Sequence, residues 1–178
     1  MNGRPDAAEY APFYEGYVSL VPETDVVRVL EEQPAVLERQ ARQFVPSLER
    51  HRYAPGKWSV REVLGHIVDA ERVFGFRAFC FSRGEANPLP GFDQNDYVAA
   101  SGFDRLSLMD LVDEFARVRL TNLIVLKRLD EEAWKRVGSA SGKPVSVRAL
   151  AFIMGGHVRH HMNVLRSHYT AAAESIHD

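Results

Sequence analysis

Trp58-Ser59-Val60-Arg61-Glu62-Val63-Leu64-Gly65-His66-Ile67 is the stretch whose reading decides the fold. Ser59 has the short polar side chain of a helix N-cap, and Glu62, three residues on, can reach back to the Ser59 amide, so the two form a capping box. Beyond it Val63, Ile67, Ala70, Phe74, Ala78 and Phe81 recur at spacings of three and four. That period predicts one long amphipathic helix ending near Arg83. At about 100° per residue, His66 falls beside its apolar stripe.

Outward from this helix the chain repeats the pattern. Downstream, Gly84 to Gly102 holds Pro88, Pro90, Gly91 and Asp93 and is longer than the usual link between bundle helices, which makes it a binding lid or a structural crossover. Phe92, Asp93, Tyr97 and Phe103 are expected to pack over an end of the bundle. Ser107 caps a third helix with Leu111, Phe115, Val118, Val125 and Leu129 as its stripe, and Asp130 caps a short turn through Trp134. Gly138 to Val145 is turn-rich and reads as a small hairpin, after which Ser146 opens a last helix to Tyr169.

Upstream, a helical period begins at Thr24, with Pro34 marking either a short helix before the main one or a kink. Residues 1–23, with Tyr10, Tyr14 and Tyr17 and no clear period, read as an extended arm whose aromatics dock on the body or on a partner chain. Residues 171–178 read as a frayed tail. The expectation is an all-α, antiparallel four-helix bundle, a single domain over residues 24–170, with a long crossover between helices two and three.

The last helix carries three of the seven histidines within five positions, His157, His160 and His161. On the helical wheel His157 and His161 share a stripe with Leu150, Met154, Leu165 and His168, while His160 turns away and Arg148, Arg159, Asn163 and Arg166 form the opposite, wet face. Two histidines at i and i+4 can aim ring nitrogens at one point, as a helical metal pair does. Taken alone, the spacing fits two hydrogen-bonded core histidines as well. His66 is the natural third ligand.

Hydrophobic residues make up 46% and charged residues 26%, with a net charge of −2, so no basic excess points to nucleic acid. No apolar run approaches the ~18 residues of a membrane span. The single cysteine, Cys80, excludes an internal disulfide, and the N-terminus lacks the basic start and apolar run of a signal peptide. A cytoplasmic protein is expected. Cys80, set among phenylalanines, reads as a small buried hydrophobe.

Taken together, three motifs resemble the DinB-like metalloprotein superfamily of four-helix bundles. They are Lys57 to Asp69 with its W-S-x-x-E-x-x-x-H opening, Pro88-Leu89-Pro90-Gly91-Phe92-Asp93 in the crossover, and His157-Val158-Arg159-His160-His161. The resemblance spans about Thr24 to Tyr169. It implies a divalent metal, nickel or zinc, held by His66, His157 and His161, in an open arrangement that leaves coordination positions free. It further implies a small-molecule thiol S-transferase of the bacillithiol or mycothiol type, or a hydrolase, with a low-molecular-weight thiol as possible second cofactor; a homodimer is expected separately, with the aromatic N-terminal arm as its contact. Such a metal acidifies water or a thiol. Relatives often carry Glu or Gln where this chain has Val158, and Gly where it has Asn163, which alters the hydrogen bonding around the ligands. Asp69 and Glu62, one turn to either side of His66, are the candidate bases or orienting acids, against a plain solvent-facing acid and a capping-box acid. The competing reading is a non-catalytic helical stress protein whose histidines are structural.

Overall fold

A computed structural model describes residues 3–169 of the 178. Seven α-helices lie in order: α1 (Glu15–Val18), α2 (Val26–Ala41), α3 (Val60–Ser82), α4 (Gln94–Ser101), α5 (Leu108–Leu126), α6 (Glu131–Lys135) and α7 (Val147–His168), with a hairpin of β1 (Val137–Ala140) and β2 (Lys143–Ser146) before α7. The long helices α2, α3, α5 and α7 form the bundle. Each begins at a side-chain cap: Asp25, Ser59, Ser107 and Ser146 accept backbone N–H groups of the first turn, and Ser59 with Glu62 closes the expected capping box.

The connections set an uncommon pattern of neighbours. Around the bundle α2 touches α5 and α7, and α3 touches α5 and α7, so the consecutive pairs α2/α3 and α5/α7 lie diagonally opposite. Gln33 meets Gly155 and Gln40 meets Met162, so α2 and α7 run parallel. Glu71 meets Arg119 and Gly75 abuts Asn122, so α3 and α5 also run parallel, a geometry that a short turn cannot join. The long crossover is therefore required by the topology. It holds its own helix, α4, capped by Asp93, and is tied to the hairpin by Leu89 N–H to Ser139 O at 2.8 Å and Ser141 N–H to Leu89 O at 3.1 Å. Ser141 (φ 54°) and Gly142 (φ 71°) make the two-residue turn, both in the left-handed region that such hairpins need. Phe103 packs into the core as expected, its ring lying over the bare Cα of Gly65, where an added Cβ would stand 2.2 Å from it. Phe92 and Tyr97 meet at a tilt outside it, their ring centroids 5.1 Å apart.

Pro34 neither splits nor ends the first bundle helix, which is continuous over Val26–Ala41. Proline lacks the N–H that would bond the carbonyl four residues back. That carbonyl, Leu30 O, accepts instead from Arg119 Nη1 at 3.1 Å. Arg119, wholly buried, also donates from Nε and Nη2 to both carboxylate oxygens of Glu71 at 2.7 and 2.8 Å and from Nη1 to Gln33 Oε1 at 2.8 Å. Asn122 Nδ2 donates to Glu71 Oε1 at 2.8 Å and Gln33 Nε2 to Gly155 O at 2.7 Å, so one polar network joins all four bundle helices. It also corrects the expected stripe of α5: beyond Phe115 the buried positions are Arg119, Leu123 and Leu126, whereas Val118 and Val125 are only partly covered. An arginine occupies a place the wheel assigns to an apolar residue.

The N-terminal segment is not an extended arm. Ala7–Glu9 and Pro12–Tyr14 form 3₁₀ turns leading into α1, and Tyr10, Val18 and Val21 are buried against the bundle. Arg159 donates to Leu20 O and Glu23, and Arg148 pairs with Glu9, so part of the face expected to be wet on α7 is covered by this segment. His168 is exposed and stacks on Tyr53. The expected tail lies outside the described residues.

Candidate metal centre

His66 is placed by the α3 capping box and by Gly65, which lets Phe103 press against the helix one residue earlier. His157 and His161 stand one turn apart on α7, facing α3. The three rings converge: centroid separations are 4.8 Å for His66 to His157, 4.8 Å for His66 to His161 and 4.5 Å for His157 to His161. One ring nitrogen from each lies within 4.8 Å of the others, and the Nε2 atoms of His66 and His157 are 3.0 Å apart. His66 and His157 are buried, and His161 reaches the surface.

Burial keeps all three neutral. Chiefly by desolvation, with His160 adding a little, the pKa of His66 is pushed down to about 4. Desolvation, then the neighbouring histidines, hold His157 and His161 well below the ordinary imidazole range. A neutral imidazole offers a lone pair, the form a metal requires. Zinc bonds nitrogen at about 2.0–2.1 Å, which puts tetrahedral ligand nitrogens ~3.4 Å apart. The nitrogen separations here, from 3.0 Å to at most 4.8 Å, bracket that spacing, so the donor set fits a divalent ion of the zinc or nickel type.

The other expected residues fall away from this point. His160 is exposed, as the wheel predicts, with its ring edge toward Tyr17 and His161. Glu62 bonds the Ser59 amide and both terminal nitrogens of Arg52, which leaves it the capping role. Asp69 is half-buried with its pKa raised by desolvation, and it bonds no described residue. The rings that frame the cluster carry no chemical signature in a sequence: Trp58 tilts over His66 at 4.8 Å, while Tyr17 and Phe74 present edges to His157 at 5.4 and 5.7 Å. Tyr17 can approach because Gly156 has no side chain; a Cβ there would stand 1.9 Å from Tyr17 O.

Two clefts reach the cluster. A cleft of about 390 Å³ between the N-terminal segment, α3, the crossover and the hairpin ends on His66 and His157, and one of about 230 Å³ beside Trp58 and Tyr169 ends on His161. Three neutral imidazoles with access from two sides would leave coordination positions free on an ion held there, unlike the four-ligand closed arrangement of structural zinc.

The family model for the DinB superfamily matches residues 30–165. This chain belongs to the DinB superfamily. The match runs from within α2 to within α7 and so takes in His66, His157 and His161. Among solved structures, this DinB-superfamily chain is similar to YfiT from Bacillus subtilis, described as a probable metal-dependent hydrolase with an unusual four-helix bundle topology, at 18% identity over 85% of each chain and a TM-score of 0.71. It is also similar to a mycothiol-dependent maleylpyruvate isomerase, at 14% identity and a TM-score of 0.64, over 78% of this chain and 58% of that one. At these identities the likeness concerns the fold. A comparison with curated proteins finds no match by sequence. Among the described residues no helix is long and apolar enough to cross a membrane.

Proposed function

We propose that this protein holds a nickel or zinc ion on His66, His157 and His161 and uses it in a small-molecule reaction, thiol S-transfer with a low-molecular-weight thiol or hydrolysis. The observation that carries the proposal is the convergence of three neutral imidazoles from two facing helices at the end of two clefts. A divalent ion supplies Lewis acidity there, lowering the pKa of water or of a thiol. The chain's own part is to fix ring positions through Gly65 and Gly156, to keep the imidazoles deprotonated by burial, and to line the approach with Trp58, Tyr17 and Phe74. The two solved relatives, one described as a metal-dependent hydrolase and one as mycothiol-dependent, favour these two reaction classes.

Untagged protein from a metal-replete host is expected to carry close to one divalent ion per chain by elemental analysis, and H157A/H161A none. Protein that is metal-free and takes up neither nickel nor zinc sinks the proposal. Metal-dependent consumption of bacillithiol or mycothiol with an electrophile separates the transferase from the hydrolase. We read the protein as a cytoplasmic homodimer. The free Cys80 supports a reducing compartment, and the exposed Phe76 and Phe79 of α3 and Leu120 and Ile124 of α5 support a subunit contact. The mass in solution tests the second point.

A further inference from the structure

We propose that the cleft over His66 and His157 takes a small carboxylate-bearing molecule with an apolar, ring-sized body, and that Arg77 receives the carboxylate. This rests on the metal-centre reading only for which end of the molecule reacts.

Arg77, on α3, is 2% exposed, yet it has no acidic partner among the described residues. Its Nη2 donates to Pro90 O at 2.8 Å and to Ser141 Oγ at 3.0 Å, both neutral acceptors on the crossover and the hairpin. A guanidinium keeps its charge in proteins, and a buried one without a counter-charge is costly. The fold shows how it neutralises a buried arginine elsewhere: Arg119 has the Glu71 carboxylate across two hydrogen bonds. Arg77 lacks that carboxylate. Arg77 lines the cleft that ends on His66 and His157, and also a shallower one beside Phe76, Leu89 and Tyr97.

The cleft that ends on the histidines adds a second cation, Lys143 on β2, exposed and without an ion pair among the described residues. No acidic side chain is among its lining residues. Its remaining wall is largely ring surface from Phe13, Tyr14, Tyr17, Phe74 and Phe92. Phe74 links the two ends, its ring 5.7 Å from that of His157 and 6.0 Å from the Arg77 guanidinium carbon. A molecule lying across Phe74 with its carboxylate at Arg77 presents its far end to the histidines. Positive charge steers the anion in, the rings hold the apolar body, and the reacting end is fixed by where the other end is bound.

The test is binding of phenylacetate against phenylacetamide, measured by isothermal titration and saturation-transfer NMR on the full chain after chelator treatment, so that metal coordination does not contribute. The acid is expected to bind about tenfold or more tightly than the amide, the usual advantage of a charge-assisted contact. R77Q should bring the ratio near one, R77K should retain part of it, and K143Q should lower it by a smaller factor of roughly two to three. Equal affinity of wild type for the two probes, an undiminished ratio in folded R77Q, or no binding of either probe at millimolar concentration overturns the proposal. If R77Q does not fold, the wild-type ratio and its fall in K143Q decide, and an unchanged ratio in K143Q overturns it. Metal uptake without acid preference keeps the metal centre and removes this site; acid preference without metal uptake does the reverse.

Discussion

The bundle buries two polar clusters, and they are built on opposite principles. Around Glu71, Arg119, Gln33 and Asn122, charge faces charge and the freed Leu30 carbonyl meets the guanidinium, with both Arg119 and Glu71 sealed from solvent. Around His66, His157 and His161 the groups are alike, uncharged, aimed at one another and open on two sides. Buried polar groups that answer each other hold a fold together, and buried polar groups that share one unmet need wait for a ligand. The difference marks the first cluster as structural and makes the second the candidate for function.

The largest expected effect comes from breaking the closed cluster. R119M strands the Glu71 carboxylate, and chemical denaturation should show a loss of about 3–5 kcal/mol. A loss below about 1 kcal/mol would mean that the network is not sealed. Next is acid. The ordinary imidazole pKa of 6.5 falls to about 4 at His66, and His157 and His161 shift the same way, so the unfolded chain takes up these protons first as pH drops. The His66 contribution is whole above pH 6.5 and is lost between there and about pH 4, approaching 1.4 kcal/mol per pH unit, and His157 and His161 act in the same direction. Denaturant midpoints of chelated protein across that window check it, and a flat profile contradicts neutral, buried rings. G156A comes third: its methyl group cannot share space with Tyr17 O, so the segment carrying Tyr17 must shift. We expect a loss of about 1–3 kcal/mol, with faster proteolysis before residue 20. The smallest effect on stability and the sharpest on function belongs to H161A. In chelated protein it should move stability by about 1 kcal/mol or less, while metal affinity drops by orders of magnitude in a competition titration.

The two clusters also differ in how far the sequence discloses them. Caps depend on residues within three positions of one another, so Ser59 with Glu62, Ser107, Asp130 and Ser146 are legible. The histidines are legible for a related reason: one helical count puts His157 and His161 together, and a second puts His66 on the facing stripe. Arg119 and Glu71 are not. Each looks like an ordinary surface charge unless its place within an apolar stripe, between Phe115 and Leu123 or between Ile67 and Phe74, is taken as a warning. Arg77 sits in the same way between Phe74 and Phe81. The N-terminal turns escaped because their order comes from contacts with α7, and the parallel pairing of α3 with α5 escaped because direction around a bundle is a property of loops, not of stripes.

Pro34 carries one more consequence. Four amphipathic helices can slide past each other by a turn and still bury oil against oil, so apolar stripes alone leave the alignment of α2 loosely specified. The proline creates one vacant acceptor at one height on α2, and Arg119 on α5 is the donor that reaches it. A shift of one turn, about 5.4 Å, would leave that carbonyl facing hydrocarbon and the guanidinium short of a partner. The residue usually regarded as a helix breaker thus acts as a notch in a key, indexing one helix against another and, through Glu71, setting the height at which α3 offers His66 to the opposite wall.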